Sequence, residues 1–303
     1  YPLDSKFVKE FFSTLSQKDI CFYPNTIKLK SKICKLYNIE QENLLLTPGS
    51  AIAIKTIFET FEVKGNNVIT SDYFFPMYQV YSDLYQVELR KAKYTGMQLD
   101  IDSIIELIDS DTQFIILANP NSPLGDLYTR EQIKKLLETG VFVVIDEAYL
   151  EFTGEETSIP LIEEYKKLIV TKTFSKAYGA AGCRVGFLVS HKDNMEYLSK
   201  FRSMYEINAI AAKYTELIID NIEYFQTYFN DMIEGKKKLI TKLQKEGYNI
   251  IDTQGSWFYL ERFTDKDNLQ HFNDIGMSFR TLVLPDKKEY IKFNFDLILN
   301  EIS

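Results

Sequence analysis

The chain has 303 residues, enough to bury a sizeable core in one large domain with or without a smaller companion. Its 45% hydrophobic and 26% charged residues are those of an ordinary globular protein, and the net charge of -8 argues against a nucleic-acid partner while leaving room for a local phosphate site. Three cysteines (Cys21, Cys34, Cys183) lack metal-ligand spacing and fit a reducing cytoplasm, and two histidines (His191, His271) are little material for a metal site or a Ser-His-Asp triad.

No apolar run approaches the roughly 20 residues that span a bilayer. There is no signal-peptide pattern, and the chain opens at Tyr1 without a methionine, which leaves room for residues before it.

Residues 1–3 read as extended. Asp4 caps a helix over 4–16 with Phe7, Val8, Phe11, Phe12 and Leu15 on one face. Phe22-Tyr-Pro-Asn25 is a turn, and 27–37 is an amphipathic helix. A short apolar strand in 42–50 runs through Pro48, Gly49 and Ser50 into a helix over 51–61, whose entrance suits a phosphate or is simply an ordinary cap. A strand over 68–71 leads into the aromatic turn Asp72-Tyr-Phe-Phe-Pro-Met-Tyr78, which either stacks on a flat ring or packs the core. Helix 80–85, strand 87–94 and helix 101–108 follow.

Residues 112–118 are a continuous apolar strand buried on both faces. It delivers Asn119-Pro-Asn-Ser-Pro-Leu-Gly125, a rigid loop, to the carboxyl end of the strand, where ligands bind in open α/β sheets. Thr129 caps helix 130–139. Strand 141–145 delivers Asp146-Glu-Ala-Tyr149 to the same edge, and strand 168–171 delivers Thr171-Lys-Thr-Phe-Ser-Lys176. Another strand covers 185–190. This alternation predicts an α/β fold with a largely parallel sheet and helices on both faces. Beyond it come helices over 194–202, 207–229 and 231–246, a strand over 257–262, a helix over 268–274 closed near Gly276, and strands over 278–283 and 290–295. The expected division is a large domain over 24–202, a connecting helix over 203–230 and a small α+β domain over 231–303 joined by 1–23.

These strand ends offer what an aldehyde-bearing pyridine phosphate needs: a lysine for a Schiff base, a carboxylate for the ring nitrogen, a donor for the phenolic oxygen, an aromatic ring, and a cradle of hydroxyls, N–H groups and an arginine. Taken singly, Asp146 could cap a helix, Lys176 could be a solvated surface lysine, and Arg184 could pair with a carboxylate.

The joint order resembles the fold-type I pyridoxal-phosphate aminotransferases, specifically the histidinol-phosphate aminotransferase-like group. Asn119-Pro-Asn-Ser-Pro-Leu-Gly125 matches that group's Asn-Pro-Asn-Asn-Pro-Thr-Gly loop. Asp146-Glu-Ala-Tyr149 matches its acidic segment, and Thr173-Phe-Ser-Lys-Ala-Tyr-Gly-Ala-Ala-Gly-Cys-Arg-Val-Gly186 its Schiff-base segment. The resemblance covers nearly the whole chain. It implies pyridoxal 5'-phosphate as cofactor, with Lys176 as the Schiff-base lysine, Asp146 on the pyridinium nitrogen and Tyr149 on the phenolic oxygen. It places Ser50, Thr173, Ser175, Arg184 and the Gly49–Ala51 backbone on the phosphate. Phe75 falls where the family has a ring-stacking tyrosine. Tyr23 matches a tyrosine that reaches the neighbouring subunit's cofactor, implying a homodimer.

Departures fall at the substrate. Ser122 replaces an asparagine that contacts the phenolic oxygen, with Asn121 or Asn119 as stand-ins. Trp257 stands where asparagine is usual, and is either a core residue or a substrate contact. Arg280 matches an arginine that meets the substrate's anionic group. Lys292 replaces the carboxylate-binding arginine with a point charge. The implied activity is transfer of an amino group between an amino acid and a small, phosphorylated substrate. The altered clamp at Lys292 motivates an alternative, decarboxylation of a phosphorylated amino acid.

Overall fold

The computed structural model describes residues 5–61, 64–261 and 279–294. The extended start, Asp4 and the helix expected over 268–274 lie outside the described residues. Helices α1 (Ser5–Thr14), α2 (Lys18–Cys21) and α3 (Ile27–Tyr37) precede strand β1 (Leu44–Thr47) and α4 (Ser50–Thr60). Then come β2 (Asn67–Ser71), α5 (Met77–Tyr85), β3 (Glu88–Ala92), the small ribbon β4 (Tyr94–Thr95) and β5 (Gln98–Leu99), and α6 (Ile101–Ile105). β6 (Thr112–Ala118), α7 (Arg130–Leu137), β7 (Phe142–Asp146), β8 (Leu168–Thr173), β9 (Gly186–Ser190) and α8 (Lys192–Leu198) complete the larger unit. α9 (Ala209–Asp220) and α10 (Ile222–Lys245) lead to β10 (Ile250–Asp252), β11 (Trp257–Glu261), β12 (Phe279–Val283) and β13 (Glu289–Asn294).

Seven strands form one sheet in the order β1-β9-β8-β7-β6-β2-β3. β9 alone runs against its neighbours β1 and β8, and the other pairs are parallel. The expected largely parallel α/β architecture is therefore observed. β1, β2, β7, β8 and β9 are buried almost throughout, which their apolar, β-branched runs dictate for a sheet covered on both faces. Helix starts carry local signals. Thr129 and Gln132 form a reciprocal capping box at α7, and Asp100 and Asn208 cap α6 and α9.

The second sheet, β10-β11-β13-β12, is antiparallel. Its residues alternate. Phe258, Leu260, Ile291 and Phe293 join the main core, while Trp257, Tyr259 and Tyr290 pack with Leu124 and Leu284 and, at their margin, Tyr73 and Tyr149. One face of the small sheet thus covers the carboxyl-end loops of the large one. Several boundaries differ from the sequence reading, two of them in the connecting helices. The long helix expected over 207–229 breaks at Asn221, whose amide donates back to the Leu217 carbonyl at 2.8 Å, a bond that competes with the helix ladder. The break expected at residue 230 is absent, because α10 runs unbroken from Ile222 to Lys245.

A buried ion cluster lies under the β7 and β8 ends. Lys172, 3% exposed, sits 2.9 Å from Glu151 and 3.2 Å from Glu147, with its ammonium 5.5 Å from the Tyr37 ring centroid. Glu147 also accepts from the Thr157 hydroxyl and the Ser158 N–H. Burial works against the Lys172 charge, but the Glu151 and Glu147 carboxylates outweigh it and its pKa is raised. A buried cation so paired is costly to remove, because the carboxylates would be left uncompensated. The cluster therefore anchors the segments that carry Asp146 and Lys176.

Candidate active site

Asp146 is the last residue of β7 and is 5% exposed. In the parallel register it lies beside Thr171 of β8, whose hydroxyl donates to Oδ1 at 2.8 Å. The Tyr78 hydroxyl donates to Oδ2 at 3.4 Å. Burial pushes the Asp146 carboxyl up to about 6, while the Thr171, Tyr78 and Ala148 N–H bonds and the Lys176 charge pull the other way. Thr171 and Tyr78 carry no site role in the sequence reading. They act through strand register and helix packing, which linear spacing does not reveal.

Lys176 follows the end of β8 and is exposed, its Nζ 5.1 Å from the centroid of the half-buried Tyr149 ring. The lysine, the carboxylate and the phenol expected to act together are thus brought to one edge. Phe75 is half-buried and meets Tyr78 edge-on at 5.8 Å, so the aromatic turn borders the same carboxylate.

Beside this group is a close-packed cradle. Gly49 has φ +79 and precedes α4, whose first turn takes no side-chain cap from it. A β-carbon at Gly49 would lie 2.6 Å from Nη2 of Arg184. One at Gly186 would lie 2.5 Å from the Gly49 carbonyl carbon and 2.6 Å from the Ser50 nitrogen. Gly186 admits only hydrogen against that backbone, and at Gly49 a side chain would strain the positive φ and press on the guanidinium, so the guanidinium and the helix entrance share one small space. Arg184 reaches it from a left-handed backbone, φ 54, that residues with a side chain seldom adopt. Its Nη1 donates to the Ser175 hydroxyl at 3.3 Å. Thr173 accepts from the Ser175 N–H at 3.1 Å and donates to the Val185 carbonyl at 3.3 Å, fixing the turn. A cation, a hydroxyl and helix N–H groups converging on one glycine suit a phosphate.

The remaining candidates are more dispersed. The Asn121 amide donates to the Tyr73 carbonyl at 2.9 Å and the Ser71 hydroxyl at 3.3 Å, and its oxygen accepts from the Leu124 N–H at 3.2 Å. Asn119 is tied to both backbone groups of Tyr128. Both asparagines are thus spent on shaping their own loop, and half-buried Ser122 lies between its two prolines. Trp257 is 1% exposed. Arg280, exposed on β12, stands directly opposite half-buried Lys292 on β13. Tyr23 is 79% exposed and stacks on Tyr205 at 4.4 Å, on an outer face.

The sequence model of the aminotransferase class I and II family matches residues 4–285. The chain belongs to that family. It is accordingly a pyridoxal-phosphate-dependent aminotransferase, and the cradle, the buried carboxylate and the lysine fit that cofactor on their own geometry. This aminotransferase is 31% identical over 273 residues to the histidinol-phosphate aminotransferase of Thermoanaerobacter sp. strain X514, an alignment covering 88% of this chain and 77% of the relative. Its fold is shared with the histidinol-phosphate aminotransferase of Sinorhizobium meliloti, solved in complex with pyridoxal-5'-phosphate (TM-score 0.83, 18% identity, 97% of this chain and 85% of that one). It is shared equally with the L-threonine-O-3-phosphate decarboxylase of Porphyromonas gingivalis (TM-score 0.80, 23% identity, 98% and 94%). Among the described residues of the aminotransferase, no helix is long and apolar enough to cross a membrane, and no cluster of three or more His, Cys, Asp or Glu side chains could hold a metal ion.

Proposed function

We propose that the enzyme moves an amino group between an amino acid donor and a small phosphorylated keto or amino substrate, and that it does so with the residues gathered at the carboxyl edge of the large sheet. What supports this is Lys176 over the Tyr149 ring and within electrostatic reach of buried Asp146, with the adjoining Ser175 held by Arg184 of the Gly49 cradle. Bound there, pyridoxal phosphate supplies an aldehyde that bonds an amine and a ring that withdraws electrons from the bonds at the amine's carbon. Lys176 is the amine that holds the aldehyde, and it carries the proton to and from the substrate's α-carbon. Asp146 keeps a proton on the ring nitrogen. Tyr149 donates to the phenolic oxygen, with Ser122 as a second donor and Asn121 holding the loop in shape. Phe75 packs on the ring. Ser50, Thr173, Ser175 and Arg184, with the Gly49, Ser50 and Ala51 backbone, grip the phosphate. Arg280 and Lys292 meet the acidic groups of the substrate.

The phosphorylated substrate is supported by the Arg280–Lys292 pair and by the relatives' names. Histidinol phosphate is therefore the first compound to assay with 2-oxoglutarate, and formation of glutamate with the keto product is the expected result. One observation favours a second reading: a lysine, not a bidentate arginine, occupies the strand position opposite Arg280. Release of carbon dioxide from phosphothreonine or phosphoserine without a keto acceptor would select decarboxylation instead. Equal turnover of phosphorylated and unphosphorylated compounds would sink the phosphate assignment.

We further propose a homodimer in which Tyr23 reaches the neighbouring cofactor phosphate. Ile20, Phe22, Tyr23, Ile27, Met204 and Tyr205 are large side chains all exposed on the segments that flank the Tyr23–Tyr205 stack. Sedimentation should give a dimer at micromolar concentration, and Tyr23→Ala should weaken cofactor binding. A monomer with full activity would refute the shared site. Three free thiols support a cytoplasmic enzyme, which cell fractionation checks.

The division into a large domain over 24–202, a connecting helix over 203–230 and a small domain over 231–303 with 1–23 is also a proposal. The covering of the large sheet's loops by the separate antiparallel sheet supports it. Limited proteolysis that released no fragment bounded near residue 203 would count against it.

A further inference from the structure

Lys236, midway along α10, is buried and stands outside the group around Lys176. An ammonium has three N–H donors, and a buried one must spend them. Here each has its own acceptor. The Asp252 carboxylate lies 2.8 Å away, the Gly255 carbonyl accepts at 2.9 Å, and the Thr253 carbonyl accepts as well. All three acceptors lie at the end of β10 and in the turn after it. Without the cation, a carboxylate and two carbonyls would face one point uncompensated. Lys236 therefore sets the shape of residues 252–255.

That turn meets the Asn119–Gly125 loop of the large sheet. The Gln254 N–H donates to the Gly125 carbonyl at 2.7 Å. Gly125 has φ +81, and a β-carbon on it would lie 2.4 Å from that of Thr253, so only glycine lets Thr253 pack there. The Thr253 hydroxyl is spent within its own segment. It donates to the Trp257 carbonyl and accepts from the Gly255 N–H at 3.3 Å. The Gly125 N–H in turn donates to the Asn121 carbonyl at 2.8 Å, closing a tight turn over residues 122–124. A second anchor lies at Pro123, whose carbonyl accepts from Trp257 Nε1 at 2.8 Å and from the Tyr259 hydroxyl. Ser122 is thus held between two anchors, and Lys236 governs the one at Gly125.

Resting on the reading of Ser122 as a donor to the phenolic oxygen of the cofactor, we propose that Lys236 is a positioning residue of the aminotransferase. From α10 it holds the turn after β10 against Gly125, and through Gly125 it sets where Ser122 stands.

The test compares Lys236→Met, which keeps the length of the side chain and removes its charge and donors, with Ser122→Ala and Leu243→Ala. Leu243 is a core residue of the same helix, so its truncation lowers stability without touching the turn. In the cofactor-free protein, hydrogen exchange at the Gln254 amide should quicken about tenfold or more in Lys236→Met. In the loaded enzyme the readout is the pH midpoint of the visible absorption of the bound cofactor. A donor to a phenolic oxygen favours its charged form, so displacing Ser122 moves that midpoint. Asp146, Tyr149 and Lys176 are unaltered in all three variants, so the shift reports the loop. The midpoint should move in Lys236→Met and in Ser122→Ala and stay at the parent value in Leu243→Ala. Lys236→Met should also lower kcat by about tenfold, because a small misplacement at the reacting centre is costly. Unchanged exchange at Gln254 would overturn the hold on Gly125. A lower melting temperature with an unmoved midpoint and kcat within about twofold of the parent would overturn the proposal by showing a merely structural role. A midpoint that moves in Ser122→Ala but not in Lys236→Met overturns the proposal alone. An unmoved midpoint in Ser122→Ala strikes the reading of Ser122, and with it the route from Lys236.

Discussion

Lys176→Ala should lower kcat by about four orders of magnitude, the combined loss of a covalent partner and of a proton carrier in one residue. The cofactor should still bind, because the cradle of Gly49, Ser175 and Arg184 does not include the lysine amine. Equilibrium dialysis should show near-stoichiometric cofactor, while single-turnover kinetics should show almost no product. An added small amine should restore part of the rate. The position over the Tyr149 ring is what makes the expectation specific to this lysine. Lys172, four residues earlier, is just as near in sequence but is sealed under the sheet by Glu147 and Glu151. A Lys176→Ala enzyme within tenfold of the parent would remove this residue from the chemistry.

Asp146→Asn should separate activity from stability. A neutral amide cannot hold a proton on a ring nitrogen, and the loss of such a charge from a water-poor site lowers kcat by about 10²–10³. In the cofactor-free protein the same change should stabilise. The folded carboxyl titrates near 6, above its model-peptide value of 3.8. Between those two values the folded state holds more protons than the unfolded one, so stability is full below about 4 and falls as pH rises through about 6. The difference amounts to a penalty on the order of 2–3 kcal/mol at pH 8 for the parent. Asparagine removes that penalty and still accepts from Thr171. Thermal melts of the two cofactor-free proteins should therefore converge at pH 4 and separate at pH 8, with the variant higher. A variant that melts lower at pH 8 would show that the hydrogen bonds to Asp146 outweigh the burial of its charge.

Much of this was legible where one residue run determines one environment. β6 and β7 announce themselves because a strand covered on both faces is apolar along nearly its whole buried length. Their loops follow at once, so Asn119–Gly125 and Asp146–Tyr149 could be assigned to one edge without coordinates. β10 was not legible. Only Ile250 of its three residues is buried, too little for any alternation to register. α5 starts at Met77, directly behind Pro76, three residues earlier than the apolar pattern indicates, because proline is favourable at a helix entrance. Within the site, Lys176 and Arg184 belong to one contiguous motif. Thr171 and Tyr78 reach Asp146 only through strand register and packing, and Trp257 alternates like any strand residue, so the pattern could not say what lay against it.

The reversed strand β9 has a further consequence. Thr173 and Gly186 are direct partners across the β8–β9 pair, so the segment between them leaves the sheet and returns to it at one point. Lys176 lies just after the departure and Arg184 just before the return, the latter packed against Gly49. The lysine and its anion clasp are thus two ends of one closed span whose length is set by the sheet. Insertions elsewhere at this edge lengthen a loop. An insertion here would push apart the two residues that must hold opposite ends of one small molecule, and so the reversal makes this span the part of the chain where evolution can exchange residues but not add them.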